Sequence, residues 1–195
     1  MSAHVSDAIL NRSKHFFGIV LVIFILGYVY DLDTRGLLPF DFPDKMPNTV
    51  GTFYTVEKAV DGDTIKVLMG DSIESVRLIG INTPETVDPR RTVECFGKEA
   101  SSRMKELVDG QIVRLEYDVS QGYRDTYNRV LAYVYLEDGQ MVNRKMVAEG
   151  YAYEYTYMTP YLYQSEFREL QTLAKSSGRG LWSESTCGGY KTISR

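Results

Sequence analysis

Five β-rich runs punctuate the middle of the chain: FYTVEKAV (53–60), DTIKVLMG (63–70), SVRLIGI (75–81), QIVRLEYDV (111–119) and RVLAYVYL (129–136). Gly70-Asp71 and Asp138-Gly139 supply turn signals, so each run is predicted to be a short strand. Between the third and fourth runs the period changes. In GKEASSRMKELVDG, Ala100, Met104, Leu107 and Val108 share one helical face and Gly110 supplies a stop. After the fifth run, MVNRKMVAEG reads as a short helix ending at Gly150. LYQSEFRELQTLAKSSG reads as a longer one, presenting Phe167, Leu170 and Ala174 before Gly178.

Strands followed by segregated helices predict an α+β class, and five strands with one inserted helix fit a five-stranded OB-type β-barrel with three helices. A different pattern precedes them. Residues Phe16–Tyr30, FFGIVLVIFILGYVY, carry no charged side chain, follow Arg12 and Lys14, and are closed off by Asp31 and Asp33. As a helix this stretch would span roughly 22 Å against a hydrocarbon core of roughly 30 Å, between a long signal-peptide core and a short transmembrane helix. Tyr28, Tyr30 and the aspartates offer no small-residue cleavage site, and tyrosines suit a membrane interface, which favours an uncleaved anchor over 16–32. A cleaved signal, leaving a secreted protein, and a buried helix of a soluble protein are the alternatives.

Arg12 and Lys14 would hold the short tail, 1–15, inside and put the body outside the cytoplasm, with the lipid bilayer as a partner. Pro39, Pro43, Pro47, Gly36 and Gly51 mark 33–52 as a linker, leaving a folded domain over 53–187 and a tail over 188–195. At 44% hydrophobic and 25% charged residues, the 195-residue chain has the composition of one globular domain with a real core. Its net charge of -4 and pI near 5.3 argue against coating nucleic acid by bulk electrostatics, but not against a compact site for one phosphate. Cys95 and Cys187 lack zinc-site spacing, so a pairwise disulfide or two buried thiols remain.

Two oxygen-rich corners are the candidates for chemistry. AVDGDTIKV, Ala59 to Val67, sets Asp61 and Asp63 around Gly62, and LIGINTPET, Leu78 to Thr86, ends in Asn82, Thr83, Pro84 and Glu85. Each alone reads most simply as a turn. Together they offer the several carboxylate and carbonyl oxygens that a hard cation such as calcium requires.

VDGDTIKV, VRLIGINTPET, DTYNRVLAYVY and GRGLW, in this order and spacing from about Tyr54 to Trp182, resemble the staphylococcal nuclease-like, or thermonuclease, family. The resemblance implies an OB fold and a Ca2+-dependent nuclease acting on DNA and RNA and leaving 3′-phosphate products. It assigns Asp63, Asn82 and the Thr83 carbonyl to the metal, with Asp61 as an outer-shell acid. Glu85 matches the residue that orients or deprotonates the attacking water, Arg77 and Arg129 the phosphate-binding arginines, and Tyr127 a tyrosine near the substrate phosphate. The parts agree with what phosphodiester cleavage needs: an activated water, a cation on the non-bridging oxygen, and positive charge on the developing pentavalent state. Arginine's planar fork, charged at any working pH, suits the last of these. The plainer reading of Arg77 and Arg129 is strand-surface ion pairing.

In GYAYEYTYMTPYLY, tyrosines recur at 151, 153, 155 and 157, then at 161 and 163. Extended chain would put the first four on one face, and the family keeps tyrosines near the nucleotide base, so Tyr155 and Tyr157 are predicted to stack single-stranded bases. The competing role is packing of the barrel against the last helix. His4 and His15 lie in or before the apolar segment, which leaves histidine chemistry without residues.

Asn82 stands where familiar family members carry aspartate, which lowers the negative charge offered to calcium. Thr126 and Asn128 replace a familiar lysine and glycine beside Tyr127. The leading reading is a membrane-tethered monomeric nuclease with no protein partner. The alternatives are a catalytically inactive OB module that binds single strands or a protein and, more distantly, a structural envelope protein using the anchor alone. Retention of Asp63, Glu85, Arg77 and Arg129 together separates the first from the second, since a pure binding module needs none of them.

Overall fold

The computed structural model describes residues 52–86 and 94–190. Strands β1 (Phe53–Ala59), β2 (Thr64–Met69), β3 (Ser72–Leu78), β5 (Ile112–Glu116) and β6 (Val130–Leu136) close a barrel in the order β1-β2-β3-β6-β5. All neighbours are antiparallel except β3 and β6, which run parallel, so the long connection between them must cross the barrel end. Helix α1 (Gly97–Val108) lies in that connection. Helices α2 (Val142–Ala148) and α3 (Gln164–Ser176) follow β6.

The barrel forms because alternate positions point inward and are apolar. Ile65 and Val67 of β2, Val76 and Leu78 of β3, and Val113 and Leu115 of β5 are all buried. Strand β6 is buried on both sides: Val130, Ala132 and Val134 face inward with them, while Tyr133 meets Phe167 of α3 edge-on at 6.5 Å. Ala100, Met104, Leu107 and Val108 of α1 are buried as their spacing predicts, and Phe167 and Ala174 of α3 likewise.

Two features differ from the pattern read along the chain. The third strand starts earlier and ends at Leu78; the chain turns at Gly80, and Ile81–Asn82 forms a separate strand, β4. Its partner is β7 (Tyr153–Glu154), with Ile81 opposite Glu154 and Asn82 opposite Tyr153. The tyrosine tract is therefore extended only briefly. Further on, Asp118 clamps the tract: one of its oxygens accepts the Tyr133 hydroxyl at 2.9 Å and the Leu162 N–H at 2.8 Å, and the other accepts Ser120. Burial alone would raise the Asp118 carboxyl, but these hydrogen bonds outweigh it and hold the pKa below the usual carboxylate value.

Cys95 and Cys187 are joined in a disulfide across 92 residues. No helix among the described residues is long and apolar enough to cross a membrane. The apolar segment Phe16–Tyr30, assigned above to an anchor or signal, lies outside the described residues, as does the linker up to Gly51.

Candidate active site

The two oxygen-rich corners meet at one end of the barrel. Asp63 enters β2 from the turn made by Asp61, whose Oδ1 accepts the Asp63 N–H at 2.9 Å. Asp63 Oδ2 then accepts both the N–H of Thr83, at 2.8 Å, and its hydroxyl, at 3.1 Å. Only glycine fits between the aspartates, because a Cβ on Gly62 would stand 2.7 Å from the Thr83 hydroxyl oxygen. Close approach of the corners is thus written into the DGD sequence.

Arg77 ties them together. Register places it opposite Thr64 on the neighbouring strand, and its Nε lies 3.3 Å from Asp63 Oδ1. One terminal nitrogen donates to the Leu78 carbonyl at 2.8 Å and the other to Asn82 Oδ1 at 3.3 Å. The Arg77 and Asp63 side chains are only 12% and 10% exposed, so the pair is poorly screened by water. Burial first, and then the charge of Asp63, push the Asp61 carboxyl up to about 6. Asp61, Asp63, Arg77, Asn82 and Thr83 therefore form one hydrogen-bonded cluster. Glu85 follows two residues later at the same corner; its Oε1 accepts the Thr86 N–H at 2.9 Å and its own N–H donates to Glu94 Oε2 at 3.0 Å.

Arg129 immediately precedes the neighbouring strand, β6. The parallel ladder sets Arg77 beside Leu131, and Arg129 is two residues earlier on the same side. With about 3.3 Å per residue and about 4.8 Å between strands, the two arginine Cα atoms are roughly 8 Å apart, within reach of one phosphate group. Arg129 is held by Asp125, with Nε and a terminal nitrogen each 2.7 Å from Asp125 Oδ2, and its guanidinium lies 5.4 Å from the Tyr127 ring centre. Burial would raise Asp125, but the Arg129 backbone and side-chain hydrogen bonds outweigh it and depress its pKa. Asn128, where glycine is familiar, has φ 62, a left-handed conformation that asparagine tolerates better than most residues. That turn leaves Tyr127 79% exposed.

The single tyrosine face does not form. Tyr155 and Tyr157 stay together at the surface, their rings 6.5 Å apart. Tyr153 instead packs edge-on against Trp182 at 5.2 Å, and Tyr161 and Tyr163 pack against Phe167, as the alternative role anticipated. Asp125 and Glu94 have no role in the sequence reading, which places Tyr153 only on the expected tyrosine face. For Asp125 a signal exists, an aspartate four residues before a candidate arginine across a turn; the other two act through contacts that no local pattern encodes.

Residues 75–184 match the family model described as staphylococcal nuclease homologue. The chain belongs to the staphylococcal nuclease homologue family. It is 41% identical over 139 residues to SPbeta prophage-derived endonuclease YokF of Bacillus subtilis (strain 168), covering 71% of this chain and 45% of that protein. Identity to endonuclease YncB of the same organism is 41% over 139 residues, 71% of this chain and 64% of that one. Thermonuclease of Staphylococcus hyicus is 41% identical over 130 residues, 67% of this chain and 75% of its own length. The chain thus spans less than two thirds of the two Bacillus relatives, and most of the shorter thermonuclease. The matched family region contains Arg77, Asn82, Thr83, Glu85 and Arg129, and begins after Asp61 and Asp63.

Proposed function

We propose that the chain is a calcium-dependent endonuclease that hydrolyses phosphodiester bonds in DNA and RNA, with single strands preferred, and leaves 3′-phosphate ends. The observation that carries this reading is the cluster itself, in which Asp63, Arg77, Asn82 and Thr83 are bonded to one another beside Glu85, with Arg129 just before the adjacent strand. Names of the relatives, endonuclease and thermonuclease, point the same way.

Among the described residues no three His, Cys, Asp or Glu side chains gather into a metal cage. The donor set is instead two carboxylates, the Asn82 amide oxygen and the Thr83 carbonyl, all hard oxygens, with Asp61 raised first by burial and then by the neighbouring Asp63 charge. This chemistry fits calcium, held by Asp63, Asn82 and Thr83 with Asp61 behind them. Bound there, the ion would polarise the phosphodiester and offset charge on its non-bridging oxygen. Glu85 takes the proton of the attacking water, and Arg77 and Arg129 hold the phosphoryl oxygens as negative charge grows. The P–O5′ bond breaks, so the phosphate stays on the 3′ side. Exposed Tyr155 and Tyr157 offer ring faces to unpaired bases, which supports the single-strand preference, while exposed Tyr127 stands beside Arg129 on the phosphate side. An extracytoplasmic setting is supported by the disulfide and by the apolar segment at Phe16–Tyr30, whether tether or signal.

Mass spectrometry of fragments from a defined oligonucleotide tests the bond cleaved. Fragments ending in 3′-phosphate and beginning in 5′-hydroxyl are expected; 5′-phosphate ends would contradict the assignment. Neutral Asn82 makes a second prediction. Asn82→Asp adds a formal charge to the donor set and is expected to tighten calcium binding about tenfold by titration calorimetry, about 1.4 kcal/mol. Unchanged calcium affinity would remove Asn82 from the metal site.

A further inference from the structure

The corner that carries Glu85 is held by Glu94, nine residues on, and beyond it by the distant Cys187. Glu94 clasps Glu85 in both directions: its carboxylate accepts the Glu85 N–H at 3.0 Å, and its own N–H donates to the Glu85 carbonyl at 2.9 Å. Cys95, the next residue, is bonded to Cys187. Helix α1 starts directly against the same corner, since a Cβ on Gly97 would lie 3.0 Å from the Glu85 carbonyl oxygen and 3.1 Å from that of Pro84. A shift of Cys95 cannot occur without moving Glu94 and the start of α1 against Glu85.

Cys187 itself sits on a fixed support. It is 6% exposed, within a segment pinned by Leu181 N–H to the Gly150 carbonyl at 2.9 Å and Gly189 N–H to the Leu181 carbonyl at 2.8 Å. That segment also reaches the other side of the corner. The Tyr153 hydroxyl donates to the Gly189 carbonyl at 3.4 Å, its ring packs on Trp182, and its backbone pairs with Asn82. Burial, and then the nearby Glu94 carboxylate, push the Tyr153 phenol up, as expected for two side chains backing one corner. Asn82 and Glu85 are therefore both anchored to the segment Leu181–Gly189, one through β7 and one through the disulfide.

We propose that Glu94 and the Cys95–Cys187 disulfide are positioning residues for Glu85, holding its carboxylate in register with Asn82 and Thr83 for attack on the phosphodiester. The inference rests on the role given to Glu85 above. A base displaced by about 1 Å can lose about a hundredfold in rate, so the anchoring belongs in kcat and not in substrate binding.

The test is steady-state cleavage of a single-stranded oligonucleotide by the 195-residue chain at saturating calcium, at a temperature where circular dichroism shows each variant folded. Glu94→Ala and the double variant Cys95→Ser/Cys187→Ser are each expected to lower kcat about tenfold to a hundredfold, with KM within about twofold. Glu94→Gln keeps an oxygen acceptor for the Glu85 N–H and is expected to restore kcat to within about threefold of the parent. A purely structural disulfide would lower melting temperature in the cysteine variant and leave kcat of the folded protein unchanged. That result, a loss confined to KM, or Glu94→Gln as slow as Glu94→Ala would overturn the proposal. Full activity of Glu85→Ala would instead overturn the role of Glu85 itself, which separates the two failures.

Discussion

Replacing Glu85 with alanine is expected to lower kcat by about two to four orders of magnitude, the range for removing a positioned general base, while the barrel's circular dichroism stays unchanged. Arg129→Ala should lower it by about two to three orders, the range for deleting one donor aimed at developing charge. Neither residue belongs to the hydrophobic core, and neither loss empties a packed site. Arg129→Lys is expected to recover little, because Nε and a terminal nitrogen of Arg129 meet Asp125 with a planar fork that an ammonium cannot copy. Arg77 is a less clean probe: it is buried against Asp63, so its removal leaves an unpaired carboxylate as well as a missing phosphate contact. Wild-type turnover by either Glu85→Ala or Arg129→Ala, in a folded protein, would remove that residue from the chemistry.

Loss of the disulfide is the second large effect. Cys95 and Cys187 close a loop across 92 residues, for which chain entropy alone gives about 4 to 5 kcal/mol. Cys95→Ser/Cys187→Ser is therefore expected to lower stability by about 4 kcal/mol in urea titration and the melting temperature by roughly 10 to 15 °C. A loss below about 1 kcal/mol would show that the C-terminal segment is held without it.

Much of the barrel was legible because its strands obey local rules. Ile65 and Val67, or Val113 and Leu115, are buried on either side of half-buried Lys66 and Arg114, and the Gly70-Asp71 turn joins β2 to β3 at the spacing a hairpin needs. Asp61, Asp63, Asn82 and Thr83 could be named from two corners and their family resemblance. Where the tyrosine tract would fold was not legible, since period-two spacing at 151–157 says nothing of the partner strand. Tyr153 pairs with Asn82 and packs on Trp182, Tyr151 packs on Phe96, and Tyr155 and Tyr157 remain exposed. Glu94 carries no periodic or motif signal; its role appears only when the chain returns to Glu85. The pairing of Cys95 with Cys187 was one of two readings left open by composition, and the fold decides it.

The most direct measurement is cleavage of linear single-stranded DNA by the 195-residue chain in millimolar calcium and in excess chelator, with Glu85→Ala run alongside. Cleavage in calcium that stops on chelation and falls at least about a hundredfold in Glu85→Ala is the expected result. No cleavage in calcium, or cleavage that continues unchanged in Glu85→Ala, would contradict a phosphodiesterase site built on these two corners.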